Sequence, residues 1–295
     1  MLDHRRKKNI GLDCILLALI VSAIGYLGYR VTMQLQYVWH WSALWQYLFR
    51  YDQQEHRWVA NYLILGLLTT LRLSIYASVP ALVLGLCMAL ARTSHSLFWR
   101  MAGRTYIELM RNLPPLVIIF LVYFFLADQL TPLFGLDDRL QNISPAAAHW
   151  LGVFVARPSS FSAFLSAVLT LAVFEGAYIA EILRGGIEAV AKGQWEAAHA
   201  LGLSRGQSLR YIILPQTFRQ VLPPLAGQFI SLIKDSSIVS VISIQELTYM
   251  GTQLMASTYM TIEVWLLIAV MYFILTFPCS ILLGRLERTY AQVST

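Results

Sequence analysis

Four charged side chains sit where charge is costly. Arg72, Glu175, Lys234 and Asp235 fall inside otherwise apolar runs of this 295-residue sequence, with Tyr178 just past Glu175 and Ser236-Ser237 directly after Asp235. Ionisable groups in such runs normally face a bundle interior or a water-filled cavity. Singly, each reads as a structural ion pair or a snorkelling chain; together they predict a polar pathway. Two cations, two carboxyls and three hydroxyls suit the binding of charged or zwitterionic groups. The Glu175 carboxylate can meet an ammonium group, or simply neutralise Lys234 or Arg72. Glu175 and Tyr178 are three apart and share one helix face, whereas Lys234 and Asp235 point about 100° apart and need not pair with each other. Ser236 and Ser237 can hydrogen-bond a neighbouring helix or a solute.

Catalytic and metal patterns are missing from the sequence. The six histidines (His4, His40, His56, His95, His149, His199) are scattered without H-E-x-x-H spacing, and neither a G-x-S-x-G elbow nor a phosphate-binding G-x-x-x-x-G-K-[ST] loop occurs. Cys14, Cys87 and Cys279 each lie in an apolar run and read as inert thiols. No cofactor or metal is expected in this chain, and any ATP and Mg would be held elsewhere.

The second informative stretch is polar: EAAHALGLSRGQSLRYIILPQ, Glu196 to Gln216. Gly193-Gln194-Trp195-Glu196 opens a helix with Glu196 in the first turn, where the helix dipole favours it. Ala197, Ala198 and Ala200 are strong helix formers whose small side chains permit close approach of another protein. Gly202 breaks the helix as a left-handed residue, and Ser204 caps the next with Gln207 completing a capping box. Pro215 closes it. A helix–turn–helix between apolar segments is predicted.

The elements that must position these residues are membrane helices. Hydrophobic residues make up 57% of the chain, charged residues only 13%, and mean hydropathy is +0.59, too little charge for a soluble domain of this size. Apolar runs at Ile10–Val31, Val59–Ala91, Leu113–Leu130, Phe161–Leu183, Leu222–Ile244 and Ile262–Leu283 predict about six spans in an all-α, polytopic membrane protein. Pro80 is placed to kink the second run. The first run follows the basic Arg5-Arg6-Lys7-Lys8, is long for a signal core and lacks a cleavage site, so it reads as an uncleaved anchor. Of the 22 Lys and Arg, fifteen fall on one side of the bilayer if both termini are cytoplasmic, five on the other and two within spans. The positive-inside rule therefore places both termini and the polar loop in the cytoplasm, and explains the net charge of +6 without nucleic acid. The aromatic stretch QLQYVWHWSALWQYLFRYDQQEHRW reads as an interfacial belt or a surface helix on the outside. The next outer loop, from Thr131 to Ser160, reads as turns with one short helix.

Glu-Ala-Ala, Gly202 six residues after Glu196, and Ile212-Ile213-Leu214-Pro215 resemble the EAA loop of the membrane subunits of ABC importers. FEGAYIAEILRGGIEAVAKGQWEAAHALGL, ILPQTFRQVLPPLAGQFISLIKDSSIVSVISIQEL, TYIELMRNLPPLVIIFLVYF and GLLTTLRLSIYASVPALVLGLCMAL resemble the permeases of bacterial polar-amino-acid importers, the histidine/glutamine/glutamate group. The resemblance covers roughly residues 61–286. It implies a type I importer permease fold that moves a polar L-amino acid across the inner membrane by alternating access. It also implies two ATPase subunits, a second permease (identical or homologous) and a periplasmic or extracellular solute-binding protein. Gly193, Glu196, Ala197, Ala198, Gly202 and Pro215 would couple to the ATPase. Arg72, Glu175, Tyr178, Lys234, Asp235, Ser236 and Ser237 would line the pathway. Residues 1–58 would then be an extension, 59–286 the core with its loop at about 184–220, and 287–295 a tail. The alternatives are an importer for another amino-acid-like solute, or a self-sufficient secondary transporter. The latter would show inverted repeats, and none is legible here.

Overall fold

The computed structural model describes all residues except 1–9, 35–36, 55, 131–134, 136–139, 141–142 and 294–295. Side chains of 10–13, 31, 34, 128 and 286–293 are likewise outside the description. The basic cluster Arg5 to Lys8, Arg139, and the side chains of Asp128 and of the 287–295 tail therefore fall beyond it.

Two compact units divide the chain, Met1–Leu44 and Trp45–Thr295. The first holds α1 (Ile10–Gln34), apolar all round, with Leu17, Ile20, Ile24 and Leu27 exposed. It also carries an aromatic run in which Trp39 stacks on Trp41 at 5.6 Å. The second unit begins inside α2 (Trp41–Leu48).

A hairpin follows this helix, an element that the expected belt or surface helix did not include. Strands β1 (Phe49–Asp52) and β2 (Arg57–Ala60) pair antiparallel, with Tyr51 opposite Trp58. Their turn is closed by Gln54 N–H donating to Asp52 Oδ1 at 2.9 Å, with His56 at φ 47°. The hairpin is why the next helix starts at Tyr62 and not at Val59.

Helix α3 (Tyr62–Arg92) runs unbroken through Pro80. It is followed by α4 (Leu97–Asn112), an amphipathic helix that hydropathy alone does not reveal. Next comes α5 (Pro115–Val122), which continues through a π turn at Tyr123–Ala127 to Leu130. A short α6 (Pro145–Phe154) is capped by Ser144, as expected of that loop. Helix α7 (Phe161–Ala189) leads to the polar loop, which contains α8 (Lys192–Ala200) and α9 (Arg205–Ser208). Through a π turn at Leu209–Ile213, α9 feeds α10 (Leu214–Asp235), which ends in a 3₁₀ stretch, Ser236–Ile242. Helix α11 (Leu247–Thr258) is another that the apolar runs do not announce, and α12 (Thr261–Val293) closes the chain.

By length and composition, four helical stretches among the described residues can cross a membrane: 62–92, 158–189, 205–242 and 261–285. Two further apolar helices, Cys14–Arg30 and Pro115–Ala127, coincide with the other two expected spans but are shorter than the four. Helix α7 is the central one, with most of its apolar stretch buried, while α12 buries little of its own. Exposed Leu65, Leu68, Val79 and Val83 on α3, and Phe273, Ile274 and Leu282 on α12, form an apolar exterior suited to lipid.

The α3–α7 contact is the most extensive in the fold, and its cause is legible residue by residue. Gly66, Thr70, Ser74, Ala77, Ala81, Gly85 and Ala89 form a buried stripe of small side chains along α3. In lipid, helices gain little by hiding apolar surface from one another, so association relies on close packing that small residues permit. A Cβ on Gly85 would lie 2.5 Å from Ile179 of α7, and one on Gly66 would lie 3.0 Å from the Leu247 backbone of α11. The stripe therefore sets the register of α3 against both partners.

Candidate functional site

Two regions hold the predicted residues. The first is the polar loop. Its first helix begins at Lys192, so Glu196 lies beyond the first turn and not within it; no acidic residue occupies that turn. Gly202 adopts φ 74°. Gly202 N–H donates to His199 O at 2.9 Å and Leu203 N–H to Ala198 O at 3.2 Å, the paired bonds of a Schellman stop. The predicted capping box is present: Gln207 N–H donates to Ser204 Oγ at 3.4 Å, and Ser204 N–H to Gln207 Oε1 at 2.8 Å.

Pro215 does not close the second helix. It stands in the first turn of α10, where its missing N–H costs little, after the wide π turn of Leu209–Ile213. The helix therefore passes through the proline and joins the loop rigidly to a membrane span.

Packing anchors this loop against the core. Trp195, Leu209, Ile212 and Leu214 close around buried Ile187, Val190 and Ile213, with Leu90 of α3 beside them. Arg205 lies over the Trp195 ring at 6.0 Å and donates to Thr93 O at the end of α3. Gln216 Nε2 donates to Gln194 Oε1 at 3.1 Å. Gly193, Glu196, Ala197, Gly202 and Pro215 remain exposed, but Ala198 is fully buried and faces the loop's own body. Leu201, 75% exposed at the tip beside Gly202, went unnoticed in the sequence and is the loop's most prominent apolar knob.

The second region lies in the core. Glu175 is fully buried on α7, and Gln228 Nε2 of α10 donates to its Oε2 at 2.6 Å. Its Oε1 has no hydrogen-bond donor among the described residues. The Asp235 carboxyl lies within hydrogen-bonding reach of Glu175, but two carboxyls satisfy each other only when one carries a proton. Tyr178 stacks edge-on against Phe174 at 5.3 Å and carries Arg111 of α4 over its ring at 5.8 Å. Below it, Glu181 accepts from Arg92 at 2.8 Å and from Arg184 Nε at 2.9 Å, with Arg111 at 4.0 Å. This cluster joins the ends of α3, α4 and α7. Tyr106 of α4 adds a bond to Val173 O at 2.6 Å, beside Gly176, where an added Cβ would crowd its hydroxyl.

Not all the predicted pathway residues meet. Glu175, Tyr178 and Asp235 come together, and Gln228 and Arg111 join them, two residues the sequence did not single out. Lys234 and Ser237 turn the other way and line a separate cavity of about 320 Å³ with Thr248, Trp265 and Tyr272. Ser236 is fully buried and its hydroxyl donates to Ile233 O of its own helix, 2.8 Å away, so that donor is not offered to a solute. Arg72 makes no ion pair with either carboxyl among the described residues; its charge lies near Tyr76 on its own helix.

A third polar node was missed altogether. Glu246, fully buried, caps α11: its carboxylate accepts from Thr248 N–H at 2.9 Å and Tyr249 N–H at 2.7 Å. It also accepts from Tyr272 Oη at 2.9 Å and Thr70 Oγ1 at 3.3 Å. One side chain thus ties α3, α11 and α12. The residues Gln-Glu-Leu before an apolar helix offer a weak cap signal, but nothing local announces the burial.

Comparison with known proteins follows the same lines. Residues 81–292 match the family described as binding-protein-dependent transport system inner membrane component. The glutamine transport system permease protein of Escherichia coli is 35% identical over 84% of this chain and 96% of its own. A probable glutamine ABC transporter permease protein of Bacillus subtilis is 34% identical over 76% of this chain and 93% of its own. Among solved structures, an amino acid ABC transporter crystallised with histidines superposes with a TM-score of 0.63 at 32% identity, covering 86% of this chain and all of that one. The MetNI methionine ABC transporter, at a TM-score of 0.51 and 15% identity, shares the fold. With a helix–turn–helix built onto a span at one end and a buried carboxyl cluster within the bundle, this chain belongs to the family of inner membrane permease components of binding-protein-dependent ABC transport systems.

Proposed function

We propose that this chain translocates a polar L-amino acid through the α7–α10 interface by alternating access. The observation that carries this reading is the Glu175 carboxyl, buried between two spans and supplied with one donor, Gln228, for its two oxygens. Burying a polar atom without a partner costs about 1–3 kcal/mol, and a substrate ammonium offers the missing donor. Asp235 adds a second acceptor, and Tyr178 an aromatic wall. Relatives whose names specify glutamine or glutamate/aspartate support an amino-acid substrate.

Energy would come from two ATPase subunits docking on the exposed face of the 192–202 turn. The substrate would arrive on a solute-binding protein, and a second permease copy or homologue would complete the pore. Glu196, Ala197, Gly193, Leu201 and Gly202 form the docking face; Ala198 and Pro215 support it from behind. In this arrangement residues 1–58 extend a core of 59–286, and both termini and the coupling loop are cytoplasmic.

Transport in proteoliposomes with the cognate binding protein and ATPase tests the substrate site. Unlabelled amino acids should compete for uptake, inactivating the ATPase should abolish it, and Glu175→Gln should lower it about ten-fold, which corresponds to about 1.4 kcal/mol. Competition by a sugar or inorganic ion but by no amino acid would overturn the substrate reading. Orientation is read separately. A cysteine at exposed Gln207 should react with an impermeant thiol reagent only after cells are opened, and reaction in intact cells contradicts a cytoplasmic loop.

A further inference from the structure

The hairpin at the head of α3 lies outside the matched family region, residues 81–292, and has its own cavity. Trp45, Phe49, Tyr51 and Trp58, with Gln46 and Arg50, enclose about 650 Å³. Trp45 and Trp58 are 68% and 69% exposed, so this is an open aromatic cradle and not a packed core.

Its place in the fold says what it faces. Asn61 N–H donates to Leu48 O at 2.9 Å, and Asn61 Nδ2 donates to Gln46 O. Asn61 is also the residue before α3, so the cradle is fixed at the mouth of a membrane span. Leu65 and Leu68, on the first turns of that span, are exposed and continue the apolar exterior away from the hairpin. A Trp-rich surface at this height sits at the lipid headgroup level, where indole rings bury an apolar body and keep their N–H wet. The strands sort their residues accordingly. Cross-strand neighbours share a face, so Phe49, Tyr51 and Trp58 present one face; Arg50 alternates to the other but still lines the hollow, which Asp52 and Arg57 do not. Arg50 makes no ion pair among the described residues, while Asp52 and Arg57 have partners. A guanidinium beside an aromatic-walled hollow suits an anionic phosphate joined to an apolar body, since arginine binds phosphate through a planar fork.

We propose that this cradle is a binding site for a single phospholipid, with Arg50 on the phosphate and the aromatic wall on the glycerol and first acyl carbons. The proposal requires only that α3 crosses the bilayer and is independent of the transported substrate. A docking protein is the competing occupant. It would gain from the same aromatic residues, but nothing about a partner explains the continuity of the cradle with the lipid-facing side of α3.

Photo-crosslinking of the full chain separates the two. Benzoylphenylalanine placed at the exposed Trp58 position keeps an aromatic ring there, and the protein is reconstituted into vesicles of equal phosphatidylglycerol and phosphatidylcholine. On illumination the dominant adduct should carry the mass of one phospholipid, with phosphatidylglycerol favoured about five-fold, as expected for about 1 kcal/mol from one arginine near an anionic surface. Arg50→Gln should bring the two lipids close to parity while leaving membrane insertion unchanged. The inference fails if illumination in intact cells gives chiefly protein adducts, if no lipid adduct forms, or if Arg50→Gln leaves the preference untouched.

Discussion

Uptake should fall more than ten-fold when Gly202 is replaced by isoleucine, while insertion and span packing should survive. The residue holds φ 74° in the Schellman stop between α8 and α9. A side chain there would meet no atom within 4 Å, so the obstacle is the backbone alone. Left-handed geometry costs an ordinary L-residue about 1–2 kcal/mol, and a β-branched one more. About 2 kcal/mol corresponds to a roughly 30-fold drop in the population of the native turn. Gly202→Ala should fall between the two. Gly206→Ala is the control, because Gly206 lies in α9 without a positive φ and with open space around it. ATP-dependent uptake in proteoliposomes, normalised to inserted protein, measures the effect. Wild-type rates in the isoleucine variant would show that the turn does not transmit.

Removing Glu246 should be the most damaging single change to stability. Glu246→Ala strips the cap from α11 and strands donors from Thr248, Tyr249, Tyr272 and Thr70 in a fully buried place. A lost cap costs about 1 kcal/mol and a charged buried hydrogen bond about 1.5–3. A total of roughly 4 kcal/mol, at about 2–4 °C per kcal/mol for a chain of this size, lowers the midpoint in detergent by about 10 °C. Glu246→Gln keeps one acceptor and should lose about half as much. A melting curve unchanged by Glu246→Ala would mean that α11 is held by its apolar contacts, Leu247, Met250 and Leu254, without help from the node.

Local signals explain what could be read in advance. Gly202, Ser204 and Gln207 act on backbone groups within five residues, so their stop and capping box follow from the order of residues alone. Apolar runs mark spans because lipid demands about 20 apolar residues with every backbone group internally bonded. The hairpin within the aromatic stretch was not legible because composition reports exposure at an interface but not whether the chain coils or pairs: Trp41–Leu48 is helix, and Phe49–Ala60 folds back as strands. Helices α4 and α11 escaped since neither forms a long apolar run. Pro215 suggested a stop where the π turn ahead of it lets the helix continue.

Sequence by itself determined where the long apolar helices lie, the helix–turn–helix of the polar loop and the presence of charge within the bundle. Tertiary structure alone decided which charges meet. Along the consecutive residues 234–237, Asp235 turns toward Glu175, while Lys234 and Ser237 open into another cavity and Ser236 is spent on its own helix. Gln228 reaches Glu175 across 53 residues of chain, and Glu246 reaches Thr70 across 176. Such pairings depend on how each helix is rotated about its axis. That rotation is set where Gly66, Gly85 and the small residues between them let α3 approach its neighbours, a property of two helices in contact and of neither one alone.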